Sequence, residues 1–156
     1  MCKSSGMDPE VSGEPFAAPV PGRARRRSAA LVSLSQEHHQ ALKQAITLKR
    51  AREDDAGAVW RRFLEFWEGP GAAHFREEES ELLPAYAQVA DPAHPAVIRT
   101  LLEHVLIRAR IATISGQPEP SVDDLHEFGV WLDLHVRHEE RVLFPLIEDA
   151  TGQAAR

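Results

Sequence analysis

Residues 74–84 read HFREEESELLP, and residues 135–145 read HVRHEERVLFP. Both stretches carry a histidine, two glutamates four and five residues later, an apolar pair and a proline. The matching positions are His74, Glu78, Glu79, Leu82 and Pro84 in one copy and His135, Glu139, Glu140, Leu143 and Pro145 in the other. Residues four apart share one face of an α-helix, so each copy predicts a helix that presents an imidazole and a carboxylate together.

Histidines also occur on the apolar stripes of two further predicted helices. The candidate ligands are therefore His38 or His39, His74, His104 and His135, together with Glu78 and Glu139. We favour His38 over His39, because the pair Glu37-His38 matches the pair Glu103-His104. Side chains from facing helices form metal sites in the cores of helical bundles. The sequence therefore predicts a non-haem metal site.

The neighbouring histidines and glutamates have several possible roles. Glu79 and Glu140 are either further ligands or hydrogen-bond partners of the ligands, and the same choice applies to His138. His94, beside a Pro turn, and His126, in a first helical turn, are interpreted as ordinary structural residues. The repeated spacing distinguishes His74 and His135 from such residues.

Composition bounds the class of protein. The chain has 156 residues, 43% of them hydrophobic and 27% charged, which fits one globular domain. A net charge of −6 argues against a general nucleic-acid binder. No apolar run is long enough for a membrane helix, and Cys2 has no second cysteine with which to form an internal disulfide. We expect a cytoplasmic protein with no membrane or nucleic-acid partner.

Helical periodicity predicts an all-α, up-down-up-down four-helix bundle over residues 31–150, between a flexible tail at 1–30 and a short tail at 151–156. In the N-terminal tail, the arginine cluster between residues 23 and 27 is interpreted as solvated rather than as a contact for an acidic partner or a phosphate. Helix 1 is predicted from an N-cap at Ser35 to Arg52. Helix 2 runs from Asp55, is broken at Gly69-Pro70-Gly71 and resumes at 72–90, and we interpret the two segments as one kinked arm. Helices 3 and 4 are predicted at 95–115 and, with Ser121 as N-cap, up to residue 149.

The ligand types indicate the metal. Imidazole and carboxylate without thiolate suit iron, and also zinc or manganese. A structural zinc site is usually a closed set of four ligands, often with cysteine, whereas six candidates are available here. The sequence therefore favours two iron ions over one zinc ion.

The doubled HxxxEExxL[LF]P motif makes residues 31–150 resemble the hemerythrin-like, HHE cation-binding family. The resemblance implies a four-helix bundle around an oxo- or hydroxo-bridged di-iron centre. Its terminal ligands would be His38 or His39, His74, His104 and His135, and its bridges Glu78 and Glu139. The oxygen carriers of the family place a second histidine where this chain has Arg108. The ligand pattern is more similar to the iron-sensing, nitrosative-stress and iron-repair branches.

Three functions follow as hypotheses. The first is a binding module that holds iron and binds oxygen, nitric oxide or a peroxide, for sensing, stress response or iron handling. The alternatives are a di-iron enzyme that reduces nitric oxide or peroxide, and a structural bundle with adventitious zinc. We expect a binding module rather than an enzyme.

Overall fold

The computed structural model describes residues 28–154, and every regular element among them is helical. Seven α-helical segments are joined in places by three π-helical turns, in which the helix is locally wider. The α-helices are α1 (Ala29–Leu48), α2 (Ala56–Phe66), α3 (Ala72–Glu77), α4 (Leu83–Ala87), α5 (Pro95–Ser115), α6 (Val122–His138) and α7 (Phe144–Ala154). The π-turns are π1 (Trp67–Gly71), π2 (Glu78–Leu82) and π3 (Glu139–Leu143).

These segments form four arms of a helical bundle. The first arm is α1, the second runs continuously from α2 to α4, the third is α5, and the fourth runs from α6 to α7. The start of the first arm packs with the end of the second and of the fourth, as in the contact of Leu34 with the cluster of Leu83 and Phe144. Neighbouring arms therefore alternate in direction, and the predicted four-helix class is confirmed.

Two apolar clusters fill the bundle, one towards each end. One contains Trp60, Phe63 and Phe128, and the other contains Tyr86 and Phe144. Along the arms the candidate ligands come between residues of these two clusters, except that Phe75 of the first cluster follows His74 directly. The bundle thus has a polar layer in its middle, enclosed by apolar packing above and below.

The structure corrects the predicted start of the first helix. Ser28, not Ser35, is the N-cap, and its hydroxyl accepts a hydrogen bond from the Leu31 amide at 3.4 Å. The earlier start follows from packing, because Leu31 and Leu34 are buried and need a helical backbone to reach the core. The helix also ends at Leu48 rather than Arg52. The predicted tail lies outside the described residues except for its last three.

The other predicted boundaries agree more closely with the structure. Ser121 caps α6 by accepting from the Asp124 amide at 3.1 Å, as predicted. The break at Gly69-Pro70-Gly71 is a kink rather than a loop, with the non-helical torsions confined to Gly69 (φ −101°, ψ −105°). The fourth arm continues past residue 149 to Ala154.

A glycine allows the first and fourth arms to approach closely. A Cβ atom at Gly129 would lie 2.8 Å from the Ala45 carbonyl oxygen and 3.0 Å from the Leu48 Cβ. Only a hydrogen at this position of α6 leaves room for the backbone of α1. The close packing brings His38 of α1 near the ligand candidates of the fourth arm.

No helix within residues 28–154 is both long enough and apolar enough to cross a membrane.

Candidate metal centre

The structure brings six predicted residues into one buried cluster. They are at most 7% exposed, and the four arms all contribute: His38, His74, Glu78, His104, His135 and Glu139. The choice between the two histidines of α1 is resolved geometrically. His38 lies in the cluster, whereas His39 is exposed, with its Nδ1 atom 2.8 Å from the Ser35 carbonyl oxygen.

The four imidazoles form two pairs. The Nε2 atoms of His38 and His74 are 3.0 Å apart, although both point inward. His104 and His135 form the second pair, with ring centroids 5.0 Å apart. Two groups of possible metal ligands result, one around the first pair with Glu78 and Glu139 and one around the second pair with Glu139.

Each buried carboxylate faces both histidine pairs. Glu78 places one oxygen 3.3 Å from His74 Nε2 and the other 3.2 Å from His104 Nε2. Glu139 places Oε2 3.1 Å from His38 Nε2, and Oε1 3.4 Å from His104 Nε2 and 3.2 Å from His135 Nε2. Such an arrangement allows one carboxylate to contact two cations at once.

The repeated prolines account for the local backbone at both glutamates. Pro84 and Pro145 have no amide hydrogen with which to continue the helical hydrogen-bonding pattern, and the helix widens just before each of them. In the π-turns the amides of Leu83 and Phe144 donate to the carbonyl oxygens of Glu78 and Glu139, five residues earlier. The two sequence copies therefore produce two equivalent π-turns, each beginning at a carboxylate of the cluster.

The inward-facing atoms fit a cation. Both oxygens of Glu78, both oxygens of Glu139, and the Nε2 atoms of His104 and His135 are buried and have no hydrogen bond among the described residues. Burying two carboxylates without such partners is costly unless a positive charge compensates them. Imidazole nitrogens and carboxylate oxygens directed at a common point meet that requirement when a metal ion lies between them.

The outward nitrogen of each imidazole is bound to a carboxylate from another arm. His74 Nδ1 lies 2.8 Å from Glu37, and His104 Nδ1 lies 2.8 Å from Glu79. A carboxylate only accepts hydrogen bonds, so each Nδ1 carries the hydrogen and Nε2 is directed inward.

The remaining two histidines complete a closed ring of such contacts. His135 Nδ1 is 2.9 Å from Glu103, and His38 Nδ1 is 2.7 Å from Glu140. The first arm therefore orients the histidine of the second, the second that of the third, the third that of the fourth, and the fourth that of the first. We call these four glutamates, Glu37, Glu79, Glu103 and Glu140, the carboxylate ring.

Two arginines hold members of the carboxylate ring. Arg108 donates to both oxygens of Glu79, at 2.8 and 3.0 Å, and Arg99 donates to Glu103 at 2.7 Å. Burial raises the pKa of Glu79, but Arg108 and His104 outweigh it and hold that pKa below its usual range. Arg108, which stands where oxygen carriers have a histidine, thus keeps Glu79 ionised and in contact with His104.

Protonation of the metal-free cluster follows from the buried carboxylates. Burial lowers the pKa of His74, but Glu78 outweighs it and raises that pKa to about 9. Burial likewise lowers the pKa of His104, and Glu139 together with Glu78 raises it to about 9. The pKa of Glu139 lies well below its usual range, because His135, His104 and His38 outweigh the effect of burial. In the absence of metal, protons on His74 and His104 therefore compensate negative charge in the cluster.

Aromatic side chains enclose the cluster. Phe75 stacks on His104 with ring centroids 3.7 Å apart, and Phe144 stacks on His38 at 5.1 Å. Beside His38 and His74 lies a small cavity of about 20 Å³ whose other walls are largely apolar. Its polar lining also includes His135, Glu37 and Glu139, and its apolar lining includes Ala41, Phe63, Phe66, Trp67, Phe75, Leu132 and Val136.

The other histidines lie outside the cluster. His138 Nε2 is 3.3 Å from the Ala96 carbonyl oxygen, so this nitrogen contacts the backbone rather than a ligand candidate. His94 caps α5 by accepting from the Ala96 amide, and His126 contacts the Ala51 carbonyl oxygen. The structural interpretation of His94 and His126 therefore agrees with their contacts.

Two functional positions were missed from the sequence alone. In the sequence, Glu37 and Glu103 only helped to favour His38 over His39. Their contacts with His74 and His135 were not predicted. The available signal was that each immediately precedes a candidate histidine. Adjacent helical residues diverge by about 100°, so a glutamate next to an inward histidine points sideways towards a neighbouring arm.

A family model described as the hemerythrin HHE cation binding domain matches residues 29–147. The match covers the first three arms, the fourth arm as far as Ile147, and all six residues of the cluster. Among curated proteins and solved structures, none matches the chain.

Proposed function

The chain belongs to the hemerythrin HHE cation-binding family, and on that premise we propose that it binds two iron ions and, at the loaded centre, a small ligand such as oxygen, nitric oxide or a peroxide. One observation carries the proposal: Glu78 and Glu139 each face both histidine pairs from a fully buried position. A single ion needs no carboxylate that spans two groups of nitrogen ligands.

The residues have distinct roles in this proposal. His38 and His74 would hold one ion, and His104 and His135 the other, while Glu78 and Glu139 lie between them. The donor set contains no thiolate and suits iron. When bound, the iron pair would supply redox-active cations with room for an exogenous ligand. The carboxylate ring would keep the Nε2 atoms directed inward, and the surrounding aromatic rings would limit the access of water.

The cavity beside His38 and His74 supports a small ligand. A volume of about 20 Å³ is enough for one water-sized molecule. Its apolar walls favour a neutral diatomic molecule over a larger polar substrate. The cavity is lined by His38 and His74 of the first histidine pair and by His135 of the second, so we expect a ligand in it to have access to both ions.

The metal part of the proposal is tested by isosteric substitution. Glu78→Gln and Glu139→Gln keep the side-chain shape but remove one negative charge and one anionic oxygen. We expect each to lower the iron content of protein loaded without oxygen to one ion per chain or fewer. Glu81→Gln is the matched control, because Glu81 lies on the same helical arm but is exposed. Unchanged metal content in both cluster variants would support a structural bundle with adventitious zinc instead.

The ligand part is tested by filling the cavity. Ala41→Leu places three additional carbon atoms against the cavity, and Ala41 is not itself a proposed ligand. We expect the variant to retain its iron and to lose most of the spectral response to nitric oxide. Ala85→Leu, at an exposed position of α4, should retain both. An undiminished response in Ala41→Leu would contradict the assignment of the cavity, and sustained consumption of nitric oxide by wild-type protein would indicate an enzyme.

A further inference from the structure

The outer face of α5 exposes a row of large apolar side chains. Five of them are between 40% and 60% exposed: Ile98, Leu101, Leu102, Val105 and Leu106. Isolated exposed apolar residues are common on soluble proteins, but a continuous row on one helix is not. The row extends over residues 98–106, about two and a half turns in the N-terminal half of the helix.

The row lies opposite the core-facing side of the same helix. The buried side of α5 includes Thr100, His104, Ile107 and Ile111. Successive residues are about 100° apart, which places Leu102 and Val105 on the far side of the helix axis from these positions. A helix that is apolar on both sides is normally covered on both sides.

The apolar surface continues onto α6. Trp131 and Leu134 are 37% and 53% exposed, and together with Leu106 they line a groove between the two helices. Arg99 and Glu103 form the polar edge of this groove, which has a volume of about 210 Å³. We call the five residues of α5 together with Trp131 and Leu134 the α5–α6 surface.

We propose that the α5–α6 surface is the contact between two copies of this chain, with their α5 helices packed antiparallel about a two-fold axis near Leu102. At roughly 90 Å² for each side chain, the surface presents on the order of 600 Å² of apolar area. A standard interface buries about 800 Å² per partner, of which about 60% is apolar. The exposed area therefore matches what one side of a stable dimer requires.

A second copy fits this surface better than other occupants. A two-fold contact places the same patch on both partners, so an apolar row on a straight helix is complementary to itself. The polar edge carries both Arg99 and Glu103, and the chain has a net charge of −6, which does not favour an anionic membrane. The sequence before Ser28 contains prolines at positions 9, 15, 19 and 21, which interrupt every apolar stretch there. We therefore do not expect this segment to cover the α5–α6 surface.

The contact would adjoin the metal centre. Glu103, at the edge of the groove, is 2.9 Å from His135 Nδ1 and also accepts from Arg99. Covering the groove would exclude water from this part of the carboxylate ring.

The decisive experiment is sedimentation equilibrium of the full chain. We expect a mass twice the chain mass of 17.4 kDa at micromolar concentration. The double variant Leu102→Glu, Val105→Glu should have the mass of one chain, with unchanged helicity and iron content. Ile46→Glu is the matched control, since Ile46 is 45% exposed on α1, and it should remain a dimer. A wild-type protein that is monomeric up to 100 times that concentration would overturn the proposal, and so would a double variant that remains dimeric.

A cross-linking variant tests the geometry. In a Cys2→Ser background, Leu102→Cys should form a disulfide-linked dimer on mild oxidation, whereas Ile46→Cys should not. Equal cross-linking of both variants would contradict the assigned surface. If removal of residues 1–27 converted a monomeric full chain into a dimer, those residues would be the occupant and the proposal would be wrong. Iron stoichiometry is unaffected by any of these outcomes, so a failure here leaves the proposed function standing.

Discussion

Gly129→Ala and Gly57→Ala are the same chemical change, and the structure predicts opposite effects on stability. A Cβ at Gly129 would lie 2.8 Å from the Ala45 carbonyl oxygen, 2.8 Å from Lys49 Cγ and 3.0 Å from Leu48 Cβ. At Gly57, in the first turn of α2, nothing lies within 4 Å of the added atom. The Lys49 side chain can move, but the carbonyl oxygen and the Leu48 Cβ are fixed to the backbone of α1.

The magnitudes follow from two opposing contributions. Replacing glycine by alanine in a helix stabilises it by about 0.5–1 kcal/mol. Overpacking a tight contact costs about 1–3 kcal/mol, and immovable neighbours place Gly129 towards the upper end. We therefore expect Gly129→Ala to lower the free energy of unfolding by about 1–2 kcal/mol and Gly57→Ala to raise it by somewhat less than 1 kcal/mol.

Thermal unfolding of the metal-free protein measures both effects without a contribution from metal binding. A domain of this size shifts its Tm by about 2–4 °C per kcal/mol, so we expect a fall of about 2–8 °C for Gly129→Ala and a rise of less than about 4 °C for Gly57→Ala. The close packing of α1 on α6 also positions His38 against Glu139, so Gly129→Ala should weaken iron binding as well. If Gly129→Ala raised Tm as much as Gly57→Ala, the close packing of α1 on α6 would be refuted.

Three further predictions concern the metal centre. Glu37→Gln removes the anionic partner of His74 Nδ1 and should weaken iron binding about 10- to 100-fold in a competitive chelator titration, whereas the exposed Glu81→Gln should leave it unchanged. His74 and His104 have pKa values of about 9 without metal and must be neutral to bind it, so iron uptake near neutral pH should release protons, which an indicator dye detects. For the same reason the affinity for iron should rise with pH and level off above about 9. Uptake of iron without proton release would contradict this prediction. Removing the metal should lower Tm by about 10 °C or more, because the ion stabilises only the folded chain, and an unchanged Tm would show that the cluster binds no metal.

The fold was predictable because the strongest patterns in the sequence reflect the interactions that form the helices. Helical periodicity and the doubled motif identify the four arms, and Pro95 and Ser121 mark helix starts by chemistry that operates locally. Ser35 was the wrong N-cap because several serines precede the apolar stripe. Only the tertiary burial of Leu31 decides that the helix begins earlier.

The candidate site was predictable in its residues but not in its connections. The spacing of His74 and Glu78 places two groups on one face, which suffices to nominate them as ligands. It gives no information on which arm faces which, and the contacts of Glu37 and Glu103 therefore appear only in three dimensions. The same holds for Arg108. The sequence shows only that an arginine occupies this position, and its hydrogen bond to Glu79 is seen only in the structure.

The central claim is that the buried histidines and glutamates hold a pair of iron ions. The most direct test is the number of iron ions per chain after loading without oxygen, measured by metal analysis against the amino-acid concentration. We expect two iron ions per chain, falling to one or fewer in Glu139→Gln. A value of one or less in the wild-type chain, unchanged in Glu139→Gln, would contradict it.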